Sequence, residues 1–204
     1  AAAGAIVLQT LKPTDVLSGA ARVSYANANT WDAAAHLAGP LGEGAGFVVS
    51  GTYSSTDGFY RNLFLGNSKT VDDKQTWGID GRLMFGMNSD TQIDIKARYS
   101  EFFGASLPFN ASFHLPNFAG VNPAFYENVN KHPFNFYNNI RPTNDQTSLD
   151  FSAKLDHELS DSLKLVAWAL YSDVDQDLVA DGTSADFARF LGAGEDAVAD
   201  RQRA

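Results

Sequence analysis

The sequence predicts an all-β protein, an antiparallel meander of about seven strands that forms part of a transmembrane barrel. Three observations predict it. Apolar and polar residues alternate with period two over segments of about ten residues, strand follows strand without an intervening helical pattern, and the connections alternate between short and long. The chain has 204 residues, 44% of them hydrophobic and 19% charged, which is typical of an ordered protein.

Composition excludes several classes of protein. The formal net charge is −9 and no Lys/Arg cluster reverses it locally, so nucleic acid is excluded as a partner. The chain has no cysteine, which rules out disulfides and thiolate metal sites. No apolar run approaches the roughly 20 residues of a membrane helix, so a membrane could be crossed only by strands.

The amino-terminal third contains an isolated apolar run followed by a hairpin. Residues 4–10 (GAIVLQT) read as a short strand that ends before Pro13, because proline cannot donate to a strand ladder. Residues 18–26 and 31–39 then alternate on either side of a short polar turn and form the predicted hairpin.

The middle of the chain shows the clearest alternation. Residues 46–54 follow a tight Gly/Pro turn, and residues 76–86 follow a longer polar stretch. Within residues 91–102, the apolar residues Ile93, Ile95, Ala97 and Tyr99 alternate with the polar residues Gln92, Asp94, Lys96, Arg98 and Ser100. This segment therefore predicts a strand with one apolar and one polar face.

Two further strands are predicted near the carboxyl end, at residues 147–159 and 163–172, with a tight turn between them. The second is less regular, since Val166, Trp168 and Leu170 lie opposite other apolar residues. We therefore expect something to pack on both faces of residues 163–172.

The lengths of the connections point to a membrane barrel. Short turns follow residues 39, 86 and 159, whereas long loops occupy about 55–75, 103–146 and 173–204. Antiparallel strands place all short turns at one end, as in bacterial outer-membrane barrels. Six aromatic residues at loop-side strand ends predict an interfacial girdle: Tyr25, Trp31, Tyr53, Trp77, Tyr99 and Tyr171. The alternative is a soluble β-sandwich binding module, which would not explain short turns at one end only.

Several motifs carry a resemblance to a family. The stretch GAIVLQTLKPTDVLSGAARVSYAN resembles the junction between plug and barrel in TonB-dependent outer-membrane receptors. Gly39-Pro40-Leu41 resembles the first periplasmic turn of that family, and residues 57–62 (DGFYRN) resemble the start of its second extracellular loop. The likeness extends from Gly4 to about Ser172.

The resemblance implies an organisation and a function. Residues 1–15 would be the last plug strand and linker, and residues 16–204 the first part of a barrel of about twenty-two strands, so the chain would be a fragment. It implies a receptor in the outer membrane of a Gram-negative bacterium, in contact with outer-membrane lipid. The receptor would take up a scarce nutrient, a ferric siderophore or another small organic ligand. Energy would come from the TonB–ExbB–ExbD complex through the region that precedes the chain.

Two sets of residues are predicted to carry the function. Aromatic and polar residues of the long loops are candidates for ligand binding: Tyr60, Arg61, Phe103, Phe109, His114, Tyr126, Phe136 and Tyr137. The loop aromatics could equally pack on one another. Charged residues of the polar strand faces would face the lumen, pairing with one another and with the plug: Arg22, Asp32, Asp80, Arg82, Asp94, Lys96, Arg98, Asp150 and Lys154.

Nothing in the sequence predicts an enzyme or a cofactor. The four histidines have no metal-site spacing, and the acidic run at residues 173–177 lacks the glycine and glutamate of a calcium loop. Nucleophile-elbow and phosphate-loop motifs are absent from the sequence. We therefore expect no metal site, no cofactor and no catalysis. A porin-like passive channel is the second alternative, although it would lack the apolar run at residues 4–10.

Overall fold

The computed structural model describes residues 10–62, 66, 72–105, 135–136, 141–181 and 197–203. These residues form only strands and connections: β1 (Ser18–Ala26), β2 (Thr30–Gly42), β3 (Ala45–Thr56), β4 (Arg61–Asn62), β5 (Lys74–Phe85), β6 (Thr91–Gly104), β7 (Asn135–Phe136), β8 (Thr143–Ser160), β9 (Leu163–Asp181) and β10 (Ala197–Arg203). Within this part of the chain, no helix has the length and apolar character needed to cross a membrane.

Eight of the strands form one sheet in the order β1-β2-β3-β5-β6-β8-β9-β10, and β4 pairs with β7 in a separate two-stranded sheet. Every pairing in the large sheet is antiparallel. Strands of the large sheet that follow one another in the chain are therefore also neighbours in the sheet. β4 and β7 lie in the long connections between these strands. The predicted all-β antiparallel meander is confirmed.

The strands are longer than predicted at the end of the sheet that carries the long loops. β8 begins at Thr143 and β9 continues to Asp181, where Ala197–Arg203 pairs with it as β10. The loop predicted over residues 173–204 is therefore shorter. Periodicity missed these extensions because Asp173, Asp175 and Asp177 remove the apolar face there, whereas backbone pairing does not depend on that face. The predicted strand at residues 4–10 lies, apart from Thr10, outside the described residues.

The short turn between β5 and β6 depends on one glycine. Gly86 has φ +68°, a conformation that disfavours side chains. A Cβ atom at this position would also overlap the carbonyl oxygen of Thr91. The Ser89 hydroxyl donates to the carbonyl oxygen of Gly86 at 2.9 Å, which closes the turn.

The two faces of the sheet differ in chemistry, and the registers show which residues share a face. Arg22 pairs with Ala34, Ser50 with Asp80, Asp80 with Arg98, and Arg98 with Asp150. Cross-strand partners lie on the same face of the sheet. Following these pairs from strand to strand places all nine residues predicted to face the lumen on one face, here called the polar face. The six predicted girdle aromatics lie on the opposite, apolar face.

The buried side chains of the sheet lie on the polar face, beneath the segment that precedes β1. The buried hydrophobic residues are Ala38, Val48 and Met84, one on each of β2, β3 and β5. Pro13 lies so close to Gly46 that a Cβ atom on that glycine would come within 2.5 Å of the proline Cβ. Pro13 therefore packs on the polar face, and residues 10–17 are here called the linker.

The apolar face is exposed in the described part of the chain. Leu83, Leu149 and Phe151 are among its large hydrophobic residues with high solvent exposure. Residues 163–172 of β9 are exposed on both faces, with Trp168 at 73%. The described residues therefore contain nothing that packs on β9, and the prediction that both of its faces are covered stays a prediction.

Candidate functional site

A buried arginine joins the linker to the polar face. The Arg82 guanidinium donates two parallel hydrogen bonds to the Asp94 carboxylate, at 2.9 and 2.8 Å. Its remaining terminal nitrogen donates to the carbonyl oxygens of Thr10 and Leu11, at 3.3 and 2.6 Å. The fork geometry of arginine suits this double role, because its donors lie in one plane and point in two directions. Arg82 therefore clamps the linker across β5 and β6.

A cavity of about 500 Å³ lies between the linker and the sheet. It is bordered by Thr10 and Leu11 on the linker side and by Asp80, Arg98 and Asp150 on the sheet side. The Arg98–Asp80 ion pair is long, at 3.7 Å, and both side chains are exposed. The polar face thus combines one buried ion pair with looser charges that border open space.

At the opposite end of the sheet, the structure joins two loops that the sequence placed far apart. β4 and β7 pair in parallel, with Arg61 opposite Asn135 and Asn62 opposite Phe136. Asn62 is buried, Arg61 is exposed and Tyr60 is half-buried. Three predicted ligand-binding positions, at residues 60, 61 and 136, therefore belong to one local unit.

The other predicted ligand-binding residues are not all in this unit. Phe103 lies on the apolar face, where its register partner is Gln75, and it is 42% exposed. Phe109, His114, Tyr126 and Tyr137 lie outside the described residues. The structure therefore brings together only part of the predicted set.

An aspartate positions the start of the first long loop. The Asp72 carboxylate accepts hydrogen bonds from the backbone N–H groups of Phe59 and Tyr60, at 2.7 and 3.0 Å. Gly58, with φ +75°, packs so closely on Asp72 that a Cβ atom would overlap its carboxylate. This contact holds the backbone on which Tyr60 and Arg61 are displayed.

Further contacts tie the loop bases to each other. Arg141, just before β8, forms an ion pair of 3.5 Å with Asp73, just before β5. The Asp57 N–H donates to the carbonyl oxygen of Ala28 at 2.9 Å, which links the first long loop to the β1–β2 turn. Asp72, Asp73 and Arg141 were not predicted from sequence, because a single charge at a strand start carries no periodic signal.

On the apolar face, aromatic side chains form contacts at the level where the long loops begin. Tyr25 and Trp31 have ring centroids 4.8 Å apart, and Trp77 and Tyr99 5.5 Å apart. The Trp77 indole N–H donates to Glu101 at 3.0 Å and the Tyr99 hydroxyl donates to it at 2.5 Å. Their polar groups are therefore satisfied at one level, while their rings extend the apolar face.

The described residues offer no metal-binding cluster. No group of three His, Asp or Glu side chains comes together among them.

Gly58→Ala is expected to loosen the loop base. The methyl group would displace the Asp72 carboxylate, so the Phe59 and Tyr60 amides should exchange hydrogen about tenfold faster or more, for a loss of roughly 1.5 kcal/mol. Hydrogen exchange of the purified intact protein measures this. Gly44→Ala is the matched control, because Gly44 also has positive φ, +67°, but its nearest neighbouring atom is 3.5 Å from the added carbon. Unchanged exchange at both amides in Gly58→Ala would contradict the role given to Asp72.

Comparison with known proteins identifies the fold. No protein-family description and no curated protein sequence matches the chain. Among solved structures, the siderophore receptor PiuA from Acinetobacter baumannii matches with a TM-score of 0.64 at 16% identity, over 84% of this chain and 23% of the receptor. The open form of the ferric-catecholate import receptor Fiu from E. coli K12 matches with a TM-score of 0.70 at 14% identity, over 95% of this chain and 30% of the receptor.

The closed form of the same E. coli receptor matches with a TM-score of 0.67 at 12% identity. The chain thus shares the fold of part of these outer-membrane β-barrel receptors and spans less than a third of the length of each. These neighbours are described as a siderophore receptor and as a ferric-catecholate import receptor.

Proposed function

We propose that the chain is the first part of the barrel of a TonB-dependent uptake receptor in the outer membrane of a Gram-negative bacterium. The observation that carries the proposal is the distribution of side chains on the sheet. One face is apolar and exposed, and the opposite face carries the charges and the few buried residues. A lipid-facing barrel wall has this inverted arrangement, whereas a soluble sandwich buries its apolar face.

The height of the apolar band supports the same proposal. On β5 the apolar face runs from Trp77 to Phe85, and these eight steps span about 27 Å at roughly 3.4 Å per residue. At a strand tilt of about 40° this is about 21 Å along the membrane normal, close to the roughly 25 Å apolar band of outer-membrane barrels. The Trp77–Tyr99 pair at its upper edge suits the interface between lipid and water.

The ligand we propose is a ferric siderophore or another small organic anion. The unit formed by β4 and β7, with the residue before β4, contains two aromatic residues and one arginine: Tyr60, Phe136 and Arg61. An exposed arginine recognises carboxylate or catecholate oxygens, and aromatic rings stack on ring-bearing ligands. The two receptors of similar fold are named for siderophores and ferric catecholates, which makes ferric catecholates the first probe.

The clamped linker supports the proposed organisation of residues 1–15 and 16–204. Arg82 binds the linker backbone at Thr10 and Leu11 on the polar face, which is the side where the proposal places the region that precedes the linker. In the proposal, that region is the plug and connects the barrel to the TonB–ExbB–ExbD complex. The polar face is then the lumen, and the nine charged residues predicted to face the lumen face the plug.

Transport of radioactive iron tests the proposal. The full-length protein containing this chain is expressed in a host that lacks its own catecholate receptors, and uptake of an iron-55 catecholate complex is measured with and without TonB. We expect uptake only with TonB, and reduced uptake in Arg61→Ala. Uptake that is independent of TonB would support a porin-like channel, and a protein soluble without detergent would support the sandwich. Either result overturns the proposal.

A further inference from the structure

A second recess on the polar face lies at the short-turn end of the sheet, on the other side of Arg82 from the 500 Å³ cavity. Its volume is about 390 Å³. Five cationic side chains line it: Lys12, Arg82, Lys96, Lys154 and Lys164. Only two carboxylates, Asp94 and Asp156, line it as well, which leaves a net charge of +3. We call it the cationic recess.

Both carboxylates of the cationic recess are already neutralised. Asp94 is bound by the Arg82 fork, and Asp156 forms ion pairs with Lys154 at 2.7 Å and with Lys164 at 3.3 Å. One excess positive charge remains on the Lys154–Asp156–Lys164 group, and the other two belong to Lys12 and Lys96. Lys96 lies at the limit of ion pairing, 4.0 Å from Asp94, and Lys12 has no hydrogen-bond or ion-pair partner in the described part of the chain.

The protein assembles this charge from distant parts of the sequence. Lys12 belongs to the linker, whose backbone is fixed by Arg82, while the other lysines project from β6, β8 and β9. Side chains of equal charge repel one another, so their convergence on one recess is unfavourable unless an anion shares it. Ammonium groups around a recess of this volume suit an oxyanion, which accepts several hydrogen bonds at once.

We propose that the cationic recess is a binding site for a carboxylate or phosphate group, located where the linker meets the sheet. The anion bridges Lys12 of the linker and Lys96 of β6, and it reinforces the Arg82 clamp. Its source is either a soluble anion or an acidic side chain from a part of the protein outside the described residues. The inference depends on the recess alone and not on the proposed transport.

The test uses a double variant in which Asp94 and Asp156 both keep their close ion-pair partners. Lys12→Gln with Lys96→Gln removes the two positive charges that have no close carboxylate partner. Arg22→Gln with Lys74→Gln removes two charges from the same face outside the recess and is the control. Inorganic phosphate is titrated into the intact purified protein by calorimetry at constant ionic strength, and cleavage of the linker by proteinase K is followed by mass spectrometry.

A soluble anion predicts saturable phosphate binding that weakens about tenfold or more in the recess variant and stays unchanged in the control. An anion from the protein itself predicts no phosphate binding, but several-fold faster linker cleavage in the recess variant than in the control. Equal phosphate binding in all three proteins would place the anion elsewhere and overturn the inference. Absent phosphate binding with unchanged linker cleavage would overturn it too.

Discussion

Replacing Arg82 by methionine is expected to lower the free energy of unfolding by about 3–4 kcal/mol, because it leaves Asp94 charged, largely buried and without its bidentate partner. The side chains of Arg82 and Asp94 are only 10% and 15% exposed. Methionine keeps most of the length and the packing of the arginine stem, so the change removes mainly charge and hydrogen bonds. Urea unfolding of the intact protein in detergent measures the effect.

Two comparisons make this experiment specific. Arg98→Met removes the arginine of the exposed Arg98–Asp80 pair, which joins the same two strands as the clamp. We expect it to lower the free energy of unfolding by less than about 1 kcal/mol. Asp94→Leu added to Arg82→Met removes the orphaned carboxylate and should restore part of the lost stability. Similar losses from Arg82→Met and Arg98→Met would show that burial of the clamp contributes nothing.

Ile95→Arg is expected to impair assembly of the proposed barrel by about 2–4 kcal/mol, because it places a guanidinium on the face proposed to contact lipid. Ile95 lies within the apolar band, opposite Leu83 on β5 and Ala153 on β8. No charged group of the described sheet shares its register row, so the arginine would have no partner. The yield of folded protein in lipid bilayers over a urea series measures the change.

Ser152→Arg is the matched control for this prediction. Ser152 is the register partner of Lys96, the residue that follows Ile95 on β6. It therefore lies next to Ile95 along the strand direction, but on the polar face. The same guanidinium added there should have little effect, as should Lys96→Ala, because this face is bordered by charges and open space. Equal impairment by Ile95→Arg and Ser152→Arg would contradict the assignment of the two faces.

The seven long strands could be predicted from sequence because side-chain direction in a strand repeats every two residues. Ile93, Ile95 and Tyr99 follow that period within one segment, so the sequence alone predicts that they share a face, without knowledge of which strands lie beside it. The strand ends were less predictable. Beyond Ser172 the acidic residues of β9 hide the period, although the backbone ladder continues to Asp181.

The candidate sites were only partly predictable. Arg82 and Asp94 were expected on one face, and cross-strand register places them there, but the hydrogen bond from Arg82 to the Thr10 carbonyl joins residues 72 positions apart. The pairing of Arg61 with Asn135 is of the same kind. Such contacts leave no periodic pattern in the sequence, because they depend on how distant segments are brought together and not on the order of neighbouring residues.

By itself, then, the sequence determined which side chains are apolar or charged on each strand and at which end the long loops lie, because both depend on local order along the chain. Only the tertiary structure decided which of the charges are buried, that Arg82 holds the linker, and that five cations meet in one recess. The physical reason is that burial and charge pairing are set by the distances between strands and linker. Those distances exist only once the sheet has formed and the linker has packed on Gly46.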